Sequence, residues 1–367
     1  MDFNLLISTL IGGGLALLAF LKMSNVLQVN RKANFFFGLF CLLWSSFWLD
    51  NMVDRSFLDR NYGFSFALKV AQFLTGVVFL MSIRFYANPR LKLSLRDLLM
   101  LLVPIVFVGF LMFRKTSDDC DLFYTIFSQS HSFVYIVLSY LTIKRHGKNI
   151  EQFASEVESI DLRWIKYIIY SLAISLIVVL TYKILKMRQP LNVYINLHML
   201  TVVYFVAFYG VRQKEIFPRG LPISDALATS SGNELSRKTK LMEDDELLSV
   251  KKQLIRKVES ESLYLDCELN LVKLAEIMQL STHQLSYVIN NGTGENFFNF
   301  INRFRVKKAE TLLTDANFDQ LTIVTIGFES GFNSKTAFNT AFKKITGFTP
   351  TEFRKSNEFA KQNTVLN

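Results

Sequence analysis

The chain has 367 residues, half of them hydrophobic and 14% aromatic, with 35 Phe and a formal charge of +10. Its length alone suggests two or three domains. Long apolar runs fill residues 5–210 and charges are dense after 211, a distribution that excludes a single soluble enzyme and joins a membrane half to a soluble half. Residues 1–210 carry 20 Lys/Arg against 12 Asp/Glu, net +8; residues 211–240 carry 6 against 3; residues 241–356 carry 14 against 15, net −1. The basic balance therefore belongs mostly to loops of the apolar half and is not by itself a nucleic-acid signal.

A helix crossing the hydrocarbon needs about 20 mostly apolar residues. Seven stretches qualify: 4–23, 34–53, 64–86, 95–113, 121–143, 163–186 and 191–211. The first begins with Asp2 and lacks the basic start of a signal peptide. With the N-terminus outside, the inner loops hold 15 Lys/Arg and the outer loops 6, the asymmetry expected of a multi-pass inner-membrane protein. Lys183, Lys186 and Arg188 run against that rule. An odd number of spans then places residues 212–367 in the cytoplasm. Cys41, Cys120 and Cys267 fall in the bilayer, outside and inside, so no disulfide framework is expected.

Ionisable groups inside spans are costly and often functional. They are Asp50, Lys69, His131, Lys183 and His198. Asp50, Lys69 and Lys183 lie near outer ends, where long side chains snorkel. His131 and His198 lie deeper. Either they line a pocket for an unknown small polar or anionic signal, or each makes a hydrogen bond within the bundle. Gly12, Gly13 and Gly14 permit close helix packing.

Residues 212–245 read as a cytoplasmic linker, with Pro218, Gly220, Pro222 and an Ala-Thr-Ser-Ser-Gly run at 228–232. A helix follows over Asp244–Ser260, with apolar spacing at Leu247, Leu248, Leu254, Ile255 and Val258. Two helix-turn-helix units come next. In the first, Leu271–Met278 presents one apolar face, Ala275 supplies the small crossing residue, and Gln279-Leu280 turns the chain. Ser281 caps a helix from Thr282 to about Asn291. Leu285, Val288 and Ile289 face its inside; Thr282, His283, Ser286, Tyr287 and Asn290 face out. A long amphipathic stretch, Asn296–Thr314, carries Arg303, Arg305, Lys307 and Lys308. In the second unit, Thr322–Ser330 repeats the plan with Gly327 at the small position and Gly331 as the left-handed turn residue. Ser334 caps Lys335–Thr346, with Phe338, Phe342 and Ile345 inward and Lys335, Thr336, Asn339, Thr340 and Lys343 outward. Short polar side chains for base edges and cations for phosphates are thus present. On pattern alone a plain helical bundle with solvated faces fits as well.

Residues 271–355 resemble the AraC-type DNA-binding domain. The matching stretches are LNLVKLAEIMQLSTHQLSYVIN, NFFNFINRFRVKKAETLL and IGFESGFNSKTAFNTAFKKITGFTPTEFRK, and Gly331–Arg354 follows the pattern G-F-x-S…F…F-K-K-x-x-G-x-T-P-x-x-[FY]-R. The resemblance covers about a quarter of the chain. The whole is similar in architecture to bacterial regulators in which seven spans precede such a domain, with GVRQKEIF (Gly210–Phe217) after the last span. It implies an all-α chain: a seven-helix transmembrane sensor (1–211), a linker (212–245), an AraC-type domain with two helix-turn-helix units (246–356) and a tail (357–367).

The function implied is a membrane-embedded, one-component transcription regulator, without cofactor, metal or catalytic residues. Its partners would be the major groove of double-stranded DNA at two adjacent half-sites, the bilayer, a second copy, and RNA polymerase if it is an activator. The resemblance makes Ser286, Tyr287, Asn339 and Thr340 base readers, and Lys343 and Lys344 phosphate contacts. Pro350 and Arg354 become structural. Family members often carry Arg where Tyr287 and Thr340 stand, which shifts the expected base preference toward A/T. Gln279 replaces the usual turn glycine. The rival reading is a membrane receptor or transporter whose soluble domain docks proteins, favoured by the net −1 charge of residues 241–356. An enzyme is disfavoured, since no phosphate loop, nucleophile elbow or kinase signature is present.

Overall fold

The computed structural model describes residues 3–26, 30–53, 55–113, 118–157, 160–185, 192–212 and 241–356. Among the described residues the regular structure is helical, apart from one isolated bridge between Ala154 and Asn270. Two compact units divide the chain: Met1–His146 with Leu162–Ile216, and Gly147–Asp161 with Phe217–Asn367. The second takes in the segment Gly147–Asp161, which in sequence lies between apolar stretches of the first.

The first unit contains α1 (Phe3–Met23), α2 (Arg31–Ser45), α3 (Tyr62–Ala87), α4 (Leu102–Phe113), α5 (Asp118–Ile150, whose last residues from Gly147 belong to the second unit), α6 (Arg163–Ile184) and α7 (Asn192–Arg212). These occupy all seven apolar stretches. Among the described residues, five helices are long and apolar enough to cross a membrane: α1, α3, α5, α6 and α7. The stretch 34–53 is broken after Ser45. Ser45 and Ser46 hydroxyls donate to the carbonyls of Leu42 and Leu43, competing with the helical ladder, and a single 3₁₀ turn replaces it at Ser46–Trp48. The stretch 95–113 yields a shorter apolar helix over Leu99–Phe113. The fifth stretch, expected to end at 143, stays helical to Ile150.

The interior of this unit is aromatic. Phe40 meets Phe79 at 4.5 Å between centroids, and Phe37 meets Trp164 edge-on at 5.4 Å. Gly14 lies against Val203 of α7, with room for no larger residue without a shift. Lys22 donates to the carbonyl of Gly210, and Tyr86 to Asn34, so these two buried polar groups have partners. The outside is apolar as well: Leu95, Ile105 and Phe113 are 84%, 68% and 86% exposed.

The second unit contains α8 (Asp244–Ser260), α9 (Leu271–Met278), α10 (Thr282–Tyr287), α11 (Phe297–Thr314), α12 (Ile323–Glu329), α13 (Lys335–Thr346) and a closing helix α14 over 350–356. Local chemistry explains where they begin. The side chains of Asn270, Ser281, Asn296, Thr322 and Ser334 each accept a backbone N–H of the first turn that follows. Ser281 and Gln284 form a reciprocal capping box. Leu254 and Val258 of α8 are fully buried, whereas Leu248 is exposed. One core cluster gathers Phe298, Val306 and Leu313 of α11 with Ile326, Phe338 and Phe342 of the second helix-turn-helix unit. Most of the expected linker (213–240) and the tail (357–367) lie outside the described residues.

Candidate nucleic-acid interface

The two helix-turn-helix units close their turns in the same way. In the first, the N–H of Leu280 donates to the carbonyl of Ala275 at 2.9 Å; in the second, the N–H of Phe332 donates to that of Gly327 at 3.1 Å. Each is a Schellman closure around a left-handed residue, Gln279 at φ +56° and Gly331 at φ +88°. Gly327 holds the place of Ala275 for a steric reason, since a Cβ there would stand 2.7 Å from Cδ1 of Phe338.

The turns aim α10 and α13. On α13, Lys335, Thr336, Thr340, Lys343 and Lys344 are exposed and Asn339 is half-buried. Phe338 and Phe342 are fully buried, so the face opposite the core carries the expected polar and cationic side chains. Ile345, expected inside, is 39% exposed. Ser334 spends its hydroxyl oxygen on the N–H of Ala337 and serves as a cap. On α10, Thr282, His283 and Tyr287 are half-buried, while Asn290, just beyond it, is exposed. The α-helix stops at Tyr287, and a wider π turn runs over Val288–Thr293. Leu285 of α10 and Val288 and Ile289 of the π turn are buried.

Two expected DNA contacts need correction. Ser286 is 3% exposed and its hydroxyl accepts from Nδ2 of Asn290, so it braces a neighbour and faces no groove. Arg305 is 1% exposed. Its guanidinium donates to the carbonyls of Tyr264, Asp266 and Ser155, to the Ser155 hydroxyl and to Oδ1 of Asn302. Burial lowers its pKa to about 10, which leaves it charged at neutral pH. A buried cation saturated with carbonyls is a structural knot. The amphipathic period around Arg305 is too loose to say which cation of the run turns inward. Arg303, by contrast, is half-exposed, paired with Glu295 at 3.3 Å and stacked over Phe304. Arg354 donates to the carbonyl of Leu321, in line with a structural part.

His131 is buried, stacked on Phe73 at 3.8 Å between centroids and next to Tyr135. His198 shares a 2.8 Å hydrogen bond with Ser171. Lys69 is half-buried. The side chains of Asp50 and Lys183 lie outside the described residues.

Residues 274–356 match the family described as "Helix-turn-helix domain". The arabinose operon regulatory proteins of Salmonella typhimurium and Escherichia coli are each 29% identical to this chain over 89 residues. That is 24% of this chain and 31% and 30% of theirs, so the chain spans just under a third of the length of the curated relatives it matches. No solved structure matches. The C-terminal part of the chain is an AraC-type helix-turn-helix domain.

Proposed function

We propose that this chain is a membrane-embedded transcription regulator of the inner membrane of a bacterium, whose AraC-type domain reads double-stranded DNA at two adjacent half-sites. The observation that carries the reading is the repetition of one turn geometry before two helices, α10 and α13, of which α13 turns Lys335, Thr336, Asn339, Thr340 and Lys343 away from a Phe-filled core. Recognition helices on two such units fit major grooves one helical turn apart, about 10 bp. Asn339 suits bidentate pairing with adenine, and Lys335 and Lys343 suit phosphate. Tyr287 and Asn290 supply the matching surface of the first unit, with Thr282 and His283 beside them.

Membrane embedding is supported by five long apolar helices and by outward-facing Leu95, Ile105 and Phe113, an apolar surface that water would penalise. The N-terminal unit would sense a small molecule or a membrane state and bias the DNA-reading unit. Two chains in one bilayer would dimerise readily through raised effective concentration.

The test uses the full chain in lipid nanodiscs and selection from randomised duplex DNA. The expected result is an enriched motif with two blocks about 10 bp apart. Asn339→Ala should weaken that site by about 1–3 kcal/mol and relax one base position. Binding without enrichment that fades steeply with salt would reflect phosphate attraction only and would favour a protein-docking module.

A further inference from the structure

The segment 150–157, which connects α5 to α6 in sequence, folds into the second unit and touches both helix-turn-helix units there. Ile150, Phe153, Ala154 and Ser155 are all buried. The carbonyl of Phe153 accepts the N–H of Leu271, the first residue of α9, at 2.9 Å. The carbonyl of Glu151 accepts the N–H of Phe298, in the first turn of α11, at 3.0 Å. Both donors belong to first turns that have no partner within their own helix. Ser155 meets the linking helix: its carbonyl accepts from Asn302 at 3.0 Å and from Arg305, and its hydroxyl accepts from Arg305 while donating to the carbonyl of Leu269. Val157 packs on the core of the second helix-turn-helix unit. One short segment thus ties α9, α11 and the core around α13 together.

Glu151 adds charge chemistry to this tie. Its Oε2 accepts from Nδ2 of Asn296, and its Oε1 pairs with Nζ of Lys344 at 3.7 Å. Lys344 is also drawn over the ring of Phe298, 5.0 Å from its centroid. Lys344 sits in the last turn of α13, where the phosphate backbone of bound DNA would compete with Glu151 for the same ammonium.

We propose that residues 150–157 form a control strap: docked, it joins the two helix-turn-helix units and holds Lys344 on Glu151; released, it frees Lys344 for phosphate. The surface it occupies, made by the first turns of α9 and α11 with Asn302, Arg305 and Lys344, is a docking site for this segment of the same chain. The strap is the covalent continuation of α5 and α6, so a signal sensed by those helices has a direct route to the DNA-reading unit. This rests on the DNA-binding reading above.

The test uses the full chain in lipid nanodiscs, with two independent readouts. Amide hydrogen exchange at Leu271 and Phe298 reports docking without DNA. Both amides should be protected, and loop-like exchange at both overturns the strap whatever DNA does. Fluorescence titration with a random-sequence duplex at several salt concentrations reports Lys344. Glu151→Gln should tighten binding about two- to fivefold at low salt, the range set by a partly exposed ion pair. It should also steepen the salt slope by about one ion. In a Lys344→Gln background the same change should do nothing. Unchanged affinity for Glu151→Gln, or equal tightening in both backgrounds, overturns the control role. If the unaltered chain binds no duplex at any salt, the DNA reading falls and the control role with it, while the amides still report docking.

Discussion

In the first helix-turn-helix unit the left-handed residue of the turn is Gln279, at φ +56°; in the second it is Gly331, at φ +88°. The closing hydrogen bonds are alike, so the backbone demand is the same and the answers differ. An L side chain in the left-handed region costs roughly 1–2 kcal/mol. The first unit meets it with a side chain that is exposed to solvent. The second unit cannot. A Cβ on Gly331 would stand 2.6 Å from the carbonyl oxygen of Tyr264 and 2.8 Å from Cα of Leu265. Glycine there answers to tertiary packing as well as to backbone conformation. The same asymmetry runs through the crossing position, where Ala275 suffices in one unit and Phe338 leaves room only for Gly327 in the other.

Exchanging the residues tests this contrast most strongly at Gly331. Gly331→Ala should cost ~3 kcal/mol or more, since backbone atoms cannot step aside as a flexible side chain could. The check is protease resistance of the C-terminal unit in the purified full chain as temperature rises. Gln279→Gly should act in the opposite direction, raising stability by about 0.5–1 kcal/mol once the greater freedom of glycine in the unfolded chain is set against the relieved strain. A loss at Gln279→Gly would show that the glutamine side chain does more than sit in the turn. Ser281→Ala removes the capping box of the first unit and should cost ~1 kcal/mol, seen as faster exchange of the Gln284 amide, which the Ser281 hydroxyl now accepts at 3.2 Å.

The smallest effect belongs to the end of the second unit. The N–H of Thr349 donates to the Glu352 carboxylate at 2.8 Å, which holds that carboxyl below its ordinary value of 4.5. A depressed carboxyl stabilises the fold above its unfolded pKa, and the contribution disappears as pH falls through the folded value. Stability should therefore dip slightly below about pH 4.5 in the parent chain and not in Glu352→Gln. Melting temperatures across pH 3–6 would show it.

Much of the second unit was legible locally. The stretches Asp244–Ser260, Leu271–Met278 and Lys335–Thr346 begin and end as helices where capping residues and apolar spacing place them. The inward face of α10 and the π turn after it was legible too, in Leu285, Val288 and Ile289. The site was harder to read. Asn290 and Thr340 are exposed as expected, but Ser286, four residues before Asn290, turns in; between the two, just after Tyr287, the α-helix gives way to a wider π turn. A strict 3.6-residue period misassigns faces when the helix itself changes pitch.

The sequence by itself determined where most helices of the second unit start, since a cap and its N–H lie within three residues of each other and need no distant partner. It also determined that the chain divides into an apolar and a polar part, because apolar runs of about 20 residues are countable. Tertiary structure alone decided which cation is buried. Arg305 is a structural knot only because the carbonyls of Tyr264 and Asp266, and a serine 150 residues away at position 155, converge on it. Tertiary structure alone also brought the segment 147–161 into the second unit. That placement depends on unpartnered amides at the starts of α9 and α11, groups every helix possesses and only the assembled fold presents side by side.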